Sequence, residues 1–140
     1  MTDTTKIGIL GGGQLGRMLA LAGYPLGFRF RVLDSQPDSP TGYVAELVVG
    51  SLTDTVLLKD FSDELLLVTY EFENLPVSAL RKLSEYVTVY PPPIVLEVSL
   101  DRYVEKSYFN RLGIPTARFV SVDSHSDLTA GLDRLGYPSV

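Results

Sequence analysis

The segment that most constrains this chain is Lys6-Ile7-Gly8-Ile9-Leu10, which runs straight into Gly11-Gly12-Gly13-Gln14-Leu15-Gly16. A short apolar run of this kind suits a strand buried in a parallel sheet. Beyond the glycines, Leu15, Met18, Leu19 and Ala22 recur at helical spacing, and Gly23 is placed to end that helix. Residues without a Cβ let the chain turn sharply and let another group reach the main chain. The start of the helix offers unpaired N–H groups and a positive dipole end. Gly11, Gly12, Gly13 and Gly16 therefore form a candidate anion loop, with the Gln14 amide at its lip.

The pattern continues in the same style. Phe28–Asp34 alternates as a second strand, and Ser35–Gly42, rich in Ser, Thr, Pro and Gly, reads as a loop. Ala45–Val49 is a third strand, Asp54–Phe61 a short helix and Leu65–Tyr70 a fourth strand. Pro76 precedes a helix over Val77–Glu85, and Tyr86–Tyr90 reads as a fifth strand. Alternating strand and helix predicts an α/β, doubly wound parallel sheet with right-handed crossovers. After Pro91-Pro92-Pro93, read as a stiff polyproline connector, the pattern changes. Leu100–Leu112 is a charged amphipathic helix stopped by Gly113, Arg118–Val122 a short strand, and Asp127–Leu135 a helix ended by Gly136. The apolar turn at Tyr137–Val140 has the look of an interrupted β-like run. The expected division is therefore a domain over 1–93 and, over 94–140, a linker helix with the start of a second domain.

Composition narrows the chemistry. Across 140 residues there is no Cys and one His, His125, which sits in a polar turn. Disulfides, thiolate metal sites and His-based clusters are thereby excluded, leaving carboxylates, Lys/Arg, backbone amides or a bound cofactor. A net charge of −5 gives no basic face for nucleic acid. The longest uncharged runs are too short for a bilayer, and the polar N-terminus is a poor secretory signal. A soluble, cytoplasmic protein without a membrane partner is expected.

Three readings of the glycine loop compete. G-x-G-x-x-G at Gly11, Gly13 and Gly16, with Asp34 ending the second strand, fits a nicotinamide dinucleotide site in an NAD(P)-dependent oxidoreductase domain. The loop also fits another phosphorylated small molecule, or a bare strand-to-helix turn. A second element is Tyr70-Glu71-Phe72-Glu73 at the end of the fourth strand. Glu71 and Glu73 fall on one side if the chain stays extended, and ligands in open α/β sheets sit beyond the strand C-termini. Either acid could accept hydrogen bonds from an amine or hydroxyl.

Taken together, Lys6–Leu19, Val32-Leu33-Asp34, Val68–Pro76 and Asp101-Arg102 through Leu112-Gly113-Ile114-Pro115-Thr116-Ala117 resemble, in order, the N5-carboxyaminoimidazole ribonucleotide synthase family of ATP-grasp ligases. The resemblance implies a Rossmann-like pre-ATP-grasp domain followed by the start of an ATP-grasp domain. The implied reaction, in de novo purine (IMP) biosynthesis, joins aminoimidazole ribonucleotide to bicarbonate with ATP, through carboxyphosphate. By resemblance Gly13, Gln14 and Leu15 line the ribonucleotide pocket, Glu71 contacts the substrate amine or ribose with Glu73 the weaker choice, and Arg102 reaches ATP. The same resemblance implies a homodimer. It also implies that the rest of the ATP clamp, the Mg2+ carboxylates and the other substrate-phosphate ligands lie past Val140, so that no metal is held by this chain and this piece alone is inactive.

Overall fold

A computed structural model describes residues 5–71 and 74–139. The chain divides into two compact units, 1–97 and 98–140.

In the first unit, β1 (Lys6–Leu10) lies between β2 (Arg29–Asp34) and β4 (Leu67–Tyr70), with β3 (Glu46–Val49) outside β2. All three pairings are parallel, and Ile9 stands between Val32 and Thr69. Strand alternation splits the core between the two faces of the sheet. Ile9 and Val32, fully buried, pack with Ala20 and Phe30. Leu10, Leu33 and Val68 point the other way, into a larger cluster with Leu58, Phe61, Leu80 and Leu83. Helices cover both faces, so the strands read as apolar runs rather than as in–out alternation. The four-stranded, all-parallel α/β sheet is the expected class.

The helix after the glycines, α1 (Gln14–Gly23), forms where its spacing places it, but its apolar stripe is not the face that packs. Gly16, Ala20 and Gly23 are its buried residues, while Leu15 and Met18 are 60% and 64% exposed. Small side chains bring the helix axis close to the sheet. A Cβ on Gly23 would lie 2.2 Å from the Phe30 ring. The chain does not stop at Gly23. It tightens into a 3₁₀ turn over Tyr24–Leu26, and Gly27, at φ 90°, closes it.

Helix α2 (Thr55–Ser62) starts at Asp54, whose carboxylate accepts from the Val56 and Leu57 amides at 3.0 and 3.1 Å. Helix α3 (Val77–Leu83) follows Pro76. The fifth strand is reduced to one bridge, Val68 to Val89. Val68 N–H donates to Thr88 O and Tyr90 N–H to Val68 O, both at 2.8 Å. Pairing cannot continue, because Pro91, Pro92 and Pro93 have no N–H to donate. Pro93 is not part of an extended connector but opens α4 (Pro93–Ser99), a first-turn position that tolerates the missing donor. Leu96 of that helix is 1% exposed and belongs to the larger core cluster.

The second unit holds α5 (Arg102–Arg111) and α6 (His125–Leu135). Asp101 caps α5 through the Val104 amide at 2.9 Å, and Ser124 caps α6 through the Asp127 amide at 3.2 Å. Gly113 and Gly136 follow the two helices at φ 74° and 84°. The expected strand over 118–122 does not form: the segment has no strand to pair with among the described residues. Lys106 stands over the Phe119 ring at 5.5 Å. Among the described residues no helix is long and apolar enough to cross a membrane.

Candidate functional site

Strand order β3-β2-β1-β4 places the reversal of winding between β1 and β4, the position where open α/β sheets bind ligands. Two segments end there: β1 in the glycine loop, and β4 in Glu71.

Each glycine N–H of the loop has a partner. Gly11, at φ 93°, turns the chain and donates to Leu33 O at 3.0 Å. Gly12 N–H donates to Asp34 Oδ2. Gly13 N–H donates to Glu71 Oε1 at 2.9 Å, and Gly16 N–H to Glu71 Oε2. One carboxylate from the residue after β4 thus does what a Ser or Asp N-cap does elsewhere; Gly13 itself supplies no side-chain cap. The glycines are needed for this approach. A Cβ on Gly13 would fall 2.7 Å from Glu71 Oε1, and one on Gly16 would fall 2.9 Å from both Gly11 O and Thr41 Oγ1.

The loop's carbonyls are held from the other direction. Thr41, fully buried in a 3₁₀ turn over Pro40–Tyr43, donates its N–H to Gly12 O at 2.8 Å and its hydroxyl to Gly13 O at 2.9 Å. Asp34 Oδ1 also accepts from Gln36 N–H at 2.9 Å. Ser39 Oγ and Tyr70 Oη are buried without a hydrogen-bond partner among the described residues. Burial alone holds the Tyr70 phenol above its usual range, so it stays neutral. A cavity of about 460 Å³ opens beside the loop between Gly11, Asp34, Ser51, Leu52 and Leu75.

Of the residues singled out from sequence, the structure brings Gly11, Gly12, Gly13, Gly16 and Glu71 into one hydrogen-bonded unit. Gln14 and Leu15 are exposed at its lip. Glu73 lies outside the described residues. Arg102 is in the second unit, where it pairs with Glu105 at 2.7 Å. Asp34, expected to hold a ribose hydroxyl in the dinucleotide reading, is engaged with two backbone amides instead. Thr41 was not legible as a site residue: the Ser35–Gly42 composition shows a loop but not what the loop holds. Among the described residues no three His, Cys, Asp or Glu side chains converge as a metal site.

A family profile, the ribonucleotide synthetase preATP-grasp domain, matches residues 4–100. The chain belongs to the ribonucleotide synthetase preATP-grasp family. The chain is also similar to N5-carboxyaminoimidazole ribonucleotide synthases. That of Pseudomonas aeruginosa is 47% identical over 135 residues, covering 96% of this chain and 38% of the relative. The crystal structure of the Thermus thermophilus synthetase superposes with a TM-score of 0.87 at 57% identity, over 94% of this chain and 37% of that one. The Aspergillus clavatus synthase, solved with ADP and 5-aminoimidazole ribonucleotide, gives 0.84 at 29% identity, over 99% of this chain and 38% of that one. The chain therefore spans under two fifths of the length of these relatives. The preATP-grasp assignment replaces the alternative of an NAD(P)-dependent oxidoreductase, and the structure gives a physical reason. Three of the loop's glycine amides, which such a site would leave open toward a pyrophosphate, donate to Glu71 and Asp34.

Proposed function

We propose that this chain is the ribonucleotide-binding part of an ATP-dependent carbon–nitrogen ligase that makes N5-carboxyaminoimidazole ribonucleotide. The observation that carries the reading is Glu71, held by two loop amides at the switch point beside exposed Gln14 and Leu15. Such a carboxylate offers its remaining lone pairs to an amine or hydroxyl at a fixed position. In the proposed reaction, a bicarbonate oxygen attacks the γ-phosphorus of ATP and ADP leaves, giving carboxyphosphate. The ribonucleotide amine then takes up the carboxyl carbon, directly or as CO2, releasing phosphate and a proton.

Within this scheme Glu71 orients the amine or ribose, and Glu73 is the weaker candidate for the same contact. The Gln14 side chain reads a polar group of the ligand. Gly13 and Leu15 contribute backbone and wall. Arg102, in the second unit, is assigned to ATP. Residues 1–93 act as the substrate-binding domain, and 94–140 as linker helix and start of the ATP-grasp domain. Magnesium, when bound, would offset the negative charge of the ATP phosphates, but the described residues offer no set of ligands for it. It is assigned to protein outside this chain, and no step here runs through it. The full protein is proposed to be a cytoplasmic homodimer, with this portion inactive by itself.

The test is ATP turnover by the full-length protein, with and without aminoimidazole ribonucleotide. Stimulation by the ribonucleotide is expected, and its absence sinks the proposal. Gln14→Ala is expected to raise KM for the ribonucleotide by about tenfold, the weight of one or two lost hydrogen bonds. KM for ATP should stay unchanged. An equal rise in both constants would remove Gln14 from the ribonucleotide pocket.

A further inference from the structure

We propose that Glu71 is the resident anion of the glycine loop and makes the loop select against phosphate. A strand–glycine–helix turn ordinarily binds phosphate because its amides converge unpaired at a positive helix end. Here the glycine amides of the turn are paired. Gly13 and Gly16 N–H groups, which flank the first two residues of α1, donate to the two oxygens of one carboxylate. Gly12 N–H is taken by Asp34 and Gly11 N–H by Leu33 O. The donors of all four glycines are consumed within the chain.

The arrangement is built rather than incidental. Glu71 lies 58 and 55 residues away from its two partners, so the contact is fixed by the pairing of β1 with β4, which continues as Glu71 N–H to Leu10 O at 3.3 Å. Its oxygens occupy the space that side chains at Gly13 and Gly16 would fill. A phosphate approaching the same amides would meet both a lack of donors and a like charge. A ligand that brings hydroxyl or amine donors meets the opposite: a fixed acceptor. Resting on the ligase reading, the consequence is an orientation. The ribonucleotide presents its sugar or amine to the start of α1 and carries its phosphate away from it.

The loop's selectivity can be measured on the 140-residue chain, without turnover. Amide 15N–1H spectra would be recorded while inorganic phosphate or pyrophosphate replaces chloride at constant ionic strength. In the wild-type chain the Gly12, Gly13 and Gly16 signals are expected to stay still. In Glu71→Ala, with the amides released, Gly13 and Gly16 should shift saturably, with phosphate affinity at least about tenfold above wild type. Glu71→Gln, which keeps the shape and removes the charge, is the second variant should the alanine form not fold, and it should move in the same direction. Saturable wild-type shifts at Gly13 and Gly16 overturn the proposal, as does a folded variant that gains no phosphate binding. Both results are independent of the ligase reading, which stands or falls on turnover by the full-length protein.

Discussion

At the scale of single residues, the site depends on a few buried hydrogen bonds with no slack. Thr41 is the clearest case. Its hydroxyl satisfies the Gly13 carbonyl and its amide satisfies Gly12 O, so the residue fixes the loop without pointing at any ligand. Thr41→Val keeps the volume but removes one of the two donors to Gly13 O, the other being Arg17 N–H at 3.1 Å. A loss of about 1 kcal/mol is expected, the net worth of one hydrogen bond. Urea midpoints measure it; a Thr41→Val chain as stable as the wild type would remove the hydroxyl from this account. None of this was legible locally. A Thr within Ser-Pro-Thr-Gly signals a turn, and its partners 28 and 29 positions earlier are set by the fold alone.

At the scale of elements, local patterns predicted type better than facing. The spacing of Leu15, Met18 and Leu19 is correctly helical, yet the sheet receives Gly16, Ala20 and Gly23. Close packing on a parallel sheet favours small residues at the contact, a demand that an apolar count does not register. The Tyr86–Tyr90 strand and the polyproline connector differ from expectation for a related reason. Val87 and Val89 have strand character, but the chain enters prolines after a single bridge, and a strand is defined by the partner it keeps. The β3 edge holds its own electrostatic device. Glu46 bridges Lys6 at 3.1 Å and Arg31 at 2.8 Å. Partial burial would raise its pKa, but the hydrogen bonds and charges of Lys6 and Arg31 outweigh this and hold it below its ordinary value of 4.5. A depressed folded pKa means that the contribution is fully present above about 4.5 and is lost as pH falls through the folded value. Stability of the wild-type chain should therefore fall below that pH more steeply than that of Glu46→Gln. Parallel curves from denaturant melts across pH 3–6 would dismiss the Glu46 cluster as a source of acid sensitivity.

At the scale of the whole molecule, the two units differ in kind. The first has a two-sided core whose Ile9, Leu10, Val32, Leu33 and Val68 are fully buried. In the second, among the described residues, Gly131 alone is buried. Local opening is governed by buried apolar contact. Hydrogen exchange should accordingly leave the β1 and β4 amides protected by at least about 100-fold more than those of α5, and uniform protection would contradict this account. The boundary between the two compact units, at 97/98, has the same origin. Leu96 is drawn into the first core, and the helix that carries it follows.

What the sequence determined by itself was the alternation of strand and helix, the glycine loop at its head, the chemistry excluded by lacking Cys, and the ordered motifs that mark the family. These are local or compositional properties, readable within a window of a few residues. Only the tertiary structure decided what the loop holds. Gly13 and Glu71 become neighbours because β1 and β4 pair, and Gly12 meets Asp34 because β1 and β2 do. The amides of a glycine loop can face a phosphate or a carboxylate with the same local sequence. The choice rests on which distant side chain the sheet delivers to them, and no periodicity along the chain encodes that.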